Sequence, residues 1–175
     1  METLQGMKRD HHCGELRKAD VGQEVVLCGW VSRRRDHGGL IFVDMRDRSG
    51  FAQVVFDEAS MSEGTFHKAE SLRNEFCIAV RGTVRARSAE TVNANIETGE
   101  IEVVCVELRV LNKSKTPPFY IQDDVDVDEM VRMKYRYLDL RRPEMQKNII
   151  LRHRVTKIMR DFFDRNDFLE IETPM

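Results

Sequence analysis

Between Glu24 and about Asn112, apolar and polar residues alternate with a period of two, the pattern of strands that bury one face. EVVLCGWVSRRR predicts a first strand over 24–35, LIFVDMRD a second over 40–47 and FAQVVFD a third over 51–57. The break Arg48-Ser49-Gly50 after Asp47 has the short, glycine-containing chemistry of a hairpin turn. The alternation lapses in MSEGTFHKAESLRNE (61–75), where Phe66, Ala69 and Leu72 are spaced to share one face of a helix. It returns in FCIAVRGTVRAR (76–87) and EIEVVCVELRVLN (100–112), which predict a fourth and a fifth strand.

Three strands, a helix and two strands is the order of an OB-fold, a five-stranded barrel that binds oligonucleotides on its second and third strands and the flanking loops. Small SH3-like barrels and some sandwiches share that order, so the outward residues must decide the reading. Beyond Asn112 the character changes. Thr116-Pro117-Pro118 can neither continue a strand nor enter a helix interior, and Asp123–Asp128 is an acidic run interrupted only by valines. The expected organisation is a lead-in over 1–23, a barrel over 24–112, a hinge over 113–127 and a helical segment over 128–175. Helices are predicted over Asp128–Arg142 and Glu144–Asn166, separated by Pro143. In the second, Leu151, Val155, Ile158 and Phe162 form an apolar stripe that Ile150, Met159 and Phe163 widen. FLEIETPM then reads as a strand-like run. Nothing after it covers the stripe, so the segment reads as a domain cut short. Residues 143–175 are expected to be poorly ordered or packed against another copy of the chain.

The chain has 175 residues, 41% of them hydrophobic and 33% charged, with a formal net charge of −2. That length suits one ordinary domain plus a piece of another. No run approaches the roughly 20 apolar residues of a membrane helix, and the polar first twenty residues lack the apolar core of a secretory leader. A cytoplasmic protein with no membrane partner is expected. The four cysteines, Cys13, Cys28, Cys77 and Cys105, form no CxxC pair, and three sit in or beside apolar runs, as reduced buried thiols do. His11-His12-Cys13 has no second ligand pair at a zinc spacing, so no metal site is expected. Near-neutral charge argues against a protein that coats DNA. The arginines are nevertheless clustered: Arg33-Arg34-Arg35, then Arg46 and Arg48, then Arg81, Arg85 and Arg87 at strand spacing. A local basic surface on a neutral body suits a limited contact with a polyanion.

Alternation sorts the second and third strands into faces. Ile41, Val43 and Met45 oppose Phe42, Asp44 and Arg46, while Ala52, Val54 and Phe56 oppose Phe51, Gln53 and Val55. The all-apolar sets are the expected core, which puts Phe42 outside with Asp44, Arg46 and Gln53. If the hairpin closes at Asp47 and Gly50, Asp44 faces Gln53, and Phe42 lies diagonal to it. An outward aromatic beside an amide and arginines can stack a flat base and then read its edge. Glu100 and Glu102 share a face of the fifth strand, where a carboxylate would accept from the exocyclic amine of cytosine. Arg81, Arg85 and Arg87 share a face of the fourth and could grip phosphates.

The segments CGELRKADVGQEVVLCGWVSRRRDHGGLIFVDMRDRSG, LRNEFCIAVRGTVRAR, TGEIEV, MKYRYLDLRRPEMQ and FLEIETPM run from Cys13 to the end. They resemble the N-terminal part of bacterial-type aspartyl-tRNA synthetases. The resemblance implies a mainly β chain: a five-stranded OB-fold barrel that binds the anticodon, followed by helices that begin an incomplete class II catalytic domain. It implies a parent that joins aspartate to tRNA with ATP and magnesium as a cytosolic homodimer. By the same resemblance Phe42 stacks on the middle anticodon base, a uridine, Gln53 reads it, and Arg35 adds a contact. A fifth-strand glutamate, Glu100 or Glu102, reads the third base, a cytidine. His37, in the loop between the first two strands, resembles the group of enzymes that also charge asparagine tRNA. Asp167–Met175 resembles class II motif 1, with Pro174 at the dimer interface. Motifs 2 and 3 would lie further on, so the fragment is expected to bind the tRNA anticodon stem-loop through Arg35, His37, Phe42, Gln53, Arg85, Arg87, Glu100 and Glu102. No catalytic residue or cofactor site of its own is expected. The competing readings are an asparaginyl or lysyl relative, a generic single-stranded nucleic-acid-binding barrel, and a protein-interaction barrel.

Overall fold

Each of the five strands forms within a residue of where the alternation predicts it: β1 Glu24–Asp36, β2 Leu40–Arg46, β3 Phe51–Asp57, β4 Cys77–Ala86 and β5 Ile101–Asn112. The computed structural model describes residues 2–174. The chain divides into two compact units, Met1–Thr116 and Pro117–Met175, and the division falls inside the segment read as a hinge.

In the first unit the strands close a barrel in the order β1-β2-β3-β5-β4, antiparallel throughout except for the parallel pair β3–β5. This is the OB-fold expected from the element order. The inward sets are as alternation assigns them: Ile41, Val43, Met45, Ala52, Val54 and Phe56 have no solvent exposure. Helix α1 covers only Glu63–Glu70 of the predicted 61–75. Ser62 caps its start, its Oγ accepting from the Thr65 amide. It cannot run to 75 because Glu75 adopts a φ of +66° and donates its amide to the Val31 carbonyl at 2.7 Å. Phe66, Ala69 and Leu72 still enter the core.

The lead-in is part of this unit. Met7 is buried with Val26 and Ala79 on the outside of β1 and β4. The backbone amide of Cys13 and the ring of His12 both reach Asp47 Oδ2, at 2.9 and 3.1 Å. The Gly14 amide donates to Ser49 Oγ at 2.7 Å. Gly14 lies so close to the turn that a Cβ there would stand 2.3 Å from the Ser49 carbonyl oxygen, and Gly50 holds a φ of +145°. His11, His12 and Cys13 are thus engaged with the β2–β3 hairpin and Asp10. Among the described residues none of the four cysteines forms a disulfide. Cys13 and Cys105 are buried, and burial pushes the Cys105 thiol up to about 12.

In the second unit the predicted helix over Asp128–Arg142 is two pieces, α2 Glu129–Lys134 and α3 Arg136–Asp139. Tyr135, at φ −110° and ψ 42°, leaves the helical region between them. Asp139 is fully buried and accepts from Arg136 Nη1 and Arg142 Nη1. Helix α4 spans Pro143–Asp164, with its proline in the first turn, where a missing amide hydrogen costs nothing. Its stripe is exposed, Leu151 by 60%, Ile158 by 66% and Phe162 by 61%. The strand-like run from Phe168 forms no strand among the described residues. Asp167 turns the chain at φ +62°, and Arg160 pairs with Glu170 at 2.8 Å instead. A strand needs a neighbouring strand for its backbone groups, and among the described residues no strand pairs with this segment. Pro174 is exposed in that irregular segment, and Met175 lies outside the described residues. Among the described residues no helix is long and apolar enough to cross a membrane.

Candidate nucleic-acid interface

Strand register builds the outer face. Up to Val31, odd positions of β1 face the core, but a bulge between Val31 and Arg33 reverses the parity. Arg33 then pairs with Asp44, and Arg35 with Phe42. Paired residues share a face, so the bulge swings Arg35 outside beside Phe42. Asp44 faces Gln53 across β2–β3, as the hairpin argument expected, and Phe42 faces Val55. Parallel pairing of Val54 with Val103 sets Gln53 beside Glu102, and Glu102 faces Arg85 across β4–β5. One row of positions therefore crosses all five strands.

The side chains of that row are bonded to each other. Arg35 Nη2 donates to Asp44 Oδ1, and to Gln53 Oε1 at 3.2 Å. Arg87 Nη2 donates to the same Gln53 oxygen at 2.6 Å. Gln53 Nε2 donates to Glu102 Oε2 at 3.0 Å, and Arg85 holds Glu102 Oε1 through Nε and Nη2 at 3.0 and 2.6 Å. The outer face of β3 is less open than alternation implied. Gln53 and Val55 are only 4% and 1% exposed, because arginines and neighbouring strands close over them. Burial pushes the Asp44 carboxyl up, against the opposing pull of Arg35, Arg33 and Arg87.

Above the row lies an open depression of about 710 Å³. Phe42, Gln53, His37, Leu40, Ser88 and Thr91 are among the residues that line it. The His37 ring stands edge-on to Phe42, with centroids 5.5 Å apart and planes at 84°. The β4–β5 connection is fixed to the barrel by Thr98, whose Oγ1 donates to the Phe51 carbonyl at 2.6 Å.

Of the residues singled out from the sequence, Arg35, His37, Phe42, Gln53, Arg85, Arg87 and Glu102 line this depression. Glu100 does not. It precedes β5, its side chain is 60% exposed, and it lies 3.8 Å from Lys18. The two glutamates read as sharing a face are therefore separated. Arg81 is also elsewhere, donating to the Gly6 carbonyl at 3.0 Å. Sequence reasoning did not name Asp44 or Thr91 as site residues. Alternation had already put Asp44 opposite Gln53, so that signal was present, whereas nothing in the sequence marked Thr91.

Chemically the depression offers an aromatic face together with an amide, a carboxylate and three arginines that are tied in hydrogen bonds. That arrangement can stack a flat group and pair with its polar edge. Among the described residues no three His, Cys, Asp or Glu are grouped to hold a metal ion.

Comparison with known proteins agrees with this geometry. The family described as OB-fold nucleic acid binding domain matches residues 25–111, and tRNA synthetases class II (D, K and N) matches 128–175. The chain thus carries an OB-fold nucleic-acid-binding domain followed by the start of a domain similar to the class II tRNA synthetases of the D, K and N group. Within that group its likeness is to the aspartate enzymes. It is 64% identical over 169 residues to an aspartate–tRNA(Asp/Asn) ligase of Symbiobacterium thermophilum and 62% identical over 175 residues to that of Heliobacterium modesticaldum. These alignments cover 97% and 100% of the chain but only 28% and 29% of those proteins. In fold it is similar to an aspartyl tRNA synthetase from Entamoeba histolytica, with a TM-score of 0.86 at 20% identity, over 97% of this chain and 40% of that one.

Proposed function

We propose that the chain is the tRNA-recognising part of a cytoplasmic aspartate–tRNA ligase, and that the depression on its barrel takes the anticodon loop. The carrying observation is the bonded row in which Gln53 and Glu102 meet at 3.0 Å beside the half-buried Phe42. Phe42 stacks the middle base, Gln53 and Glu102 read base edges, and Arg35 and the exposed Arg85 supply positive charge for the backbone. Of the two candidate glutamates, Glu102 is the reader, since its carboxylate lies in the depression. The whole enzyme would use ATP and magnesium. Among the described residues no group could hold a metal ion, so no step proposed for this chain is routed through either. Alone it binds tRNA without activating aspartate. The exposed stripe of α4 and the segment to Pro174 are the proposed homodimer surface.

His37 supports a relaxed choice of tRNA, in line with the names of the two relatives. Its ring is exposed at the mouth of the depression and can donate or accept, so it tolerates uridine as well as cytidine at the third base. Filter binding of labelled anticodon stem-loops, varied one base at a time, tests both points. Binding is expected to depend on the middle base and to weaken steeply with salt. His37→Leu is expected to favour the cytidine-ending loop over the uridine-ending one. Equal binding of all loops would sink the anticodon reading, and an unchanged ratio in His37→Leu the role of His37.

A further inference from the structure

Gln53 sits among partners that leave it a single free hydrogen-bonding valence. A primary amide has two N–H donors and one carbonyl with two lone pairs. The guanidinium groups of Arg35 and Arg87 approach one end of this amide at 3.2 and 2.6 Å, and the Glu102 carboxylate the other at 3.0 Å. Guanidinium groups only donate and an ionised carboxylate only accepts. The amide therefore has one permitted orientation, oxygen toward the arginines and nitrogen toward Glu102. Turning it over would set N–H against two guanidinium groups and the carbonyl against a carboxylate. With both lone pairs and one N–H taken, one N–H remains for a ligand.

Arg87 is the more firmly built in of the two arginines. Its side chain is 8% exposed, against 35% for Arg35. Its Nη1 donates to the Gly99 carbonyl at 3.3 Å and its backbone amide to the Glu100 carbonyl at 2.9 Å. Its Nε lies 3.9 Å from Glu102 Oε2. A guanidinium so enclosed presents little to a phosphate. Resting on the anticodon reading above, we infer that Arg87 is a positioning residue that fixes Gln53 as a donor only. The site at Gln53 then accepts a base edge that shows a carbonyl, such as uracil O4, and rejects the exocyclic amine that cytosine shows there. An amine would meet the Gln53 N–H, with no acceptor free on that amide, and an unpaired buried donor is costly.

The test uses the 175-residue chain and stem-loops carrying uridine or cytidine at the middle anticodon position. Wild type is expected to prefer uridine by about 10- to 100-fold, the size of one good base contact. Arg87→Met removes the shorter of the two bonds to the Gln53 oxygen, leaving only the 3.2 Å bond from the more exposed Arg35 and the Glu102 contact to orient the amide, and is expected to bring the preference within about threefold. The slope of log affinity against log salt should not change. Loss of a phosphate contact would instead weaken both RNAs alike and reduce that slope by about 0.7. In a Gln53→Ala background, Arg87→Met should leave the ratio where it is. If Arg87→Met abolishes the cooperative thermal transition, Arg87→Lys replaces it, keeping the charge while losing the forked grip on Gln53 and Gly99; the ratio is again expected to fall at constant slope. An unchanged ratio, or uniform weakening with a reduced slope, overturns the role of Arg87. A wild type that binds neither RNA, or both equally, overturns the anticodon reading instead.

Discussion

Two phenylalanines on one hairpin separate binding from folding. Phe42 on β2 faces the depression and is half-buried, whereas Phe56 on β3 faces the core with no exposure. Removing the Phe42 ring forfeits base stacking of about 1–3 kcal/mol, which is about 5- to 150-fold in Kd. It opens no core cavity, so the stability change is expected to be about 1 kcal/mol or less. Phe56→Ala empties the barrel centre and should cost about 3–5 kcal/mol, a large share of the roughly 5–15 kcal/mol that holds a domain together. Trp30, the single tryptophan, lies in β1 and reports urea unfolding of the barrel by fluorescence. Filter binding of the stem-loop gives the affinity. A Phe42→Ala protein that loses more than about 2 kcal/mol of stability, or that binds as wild type does, refutes the assignment of faces.

Glu102→Gln should weaken stem-loop binding and alter base preference, whereas Glu100→Gln should change affinity by less than about 0.5 kcal/mol, as its pair with Lys18 is solvated; filter binding of both variants decides. Burial pushes the Asp47 carboxyl up, but hydrogen bonds from Ser49 and the Cys13 amide, helped by His12, outweigh it and hold the group below its ordinary range. A lowered carboxylate contributes stability that is complete above about pH 4 and lost as pH falls through the folded-state value. Asp47→Asn should therefore flatten the acid limb of the stability curve below about pH 4, and equal steepness in both proteins would count against the clip. Asp139→Ala removes the buried, hydrogen-bonded partner of the enclosed Arg142, leaving it only the longer pairs with Asp123 and Glu144, and should cost the second unit about 3 kcal/mol. Limited proteolysis within 117–174 reads this as faster cleavage, and unchanged cleavage refutes it.

The strands were legible because a barrel buries one face of each, which writes a period of two into the sequence. The row Phe42, Asp44 and Gln53 followed from that period and a hairpin closing at Asp47 and Gly50. Arg35 reached its place by a route the pattern does not carry. SRRRD has no apolar residue to betray the bulge that reverses its parity. Glu100 and Glu102 looked equivalent because alternation assumes both lie within a strand, and β5 begins only at Ile101. The break at Tyr135 was invisible, since no glycine or proline marks it. The run from Phe168 has strand composition, yet composition cannot supply the neighbour a strand must bond to.

The contact between the lead-in and the β2–β3 turn also limits how this sequence can drift. With Gly14 against the Ser49 carbonyl and Gly50 packed on Gly14, a Cβ at 50 would meet the Gly14 Cα at 3.3 Å. The two positions have no room to change one at a time. A lineage that lengthened the hairpin, or placed any side chain at 14, would have to alter both ends of a 35-residue separation in one step. The β2–β3 turn is thus held to its length by residues that line no part of the depression.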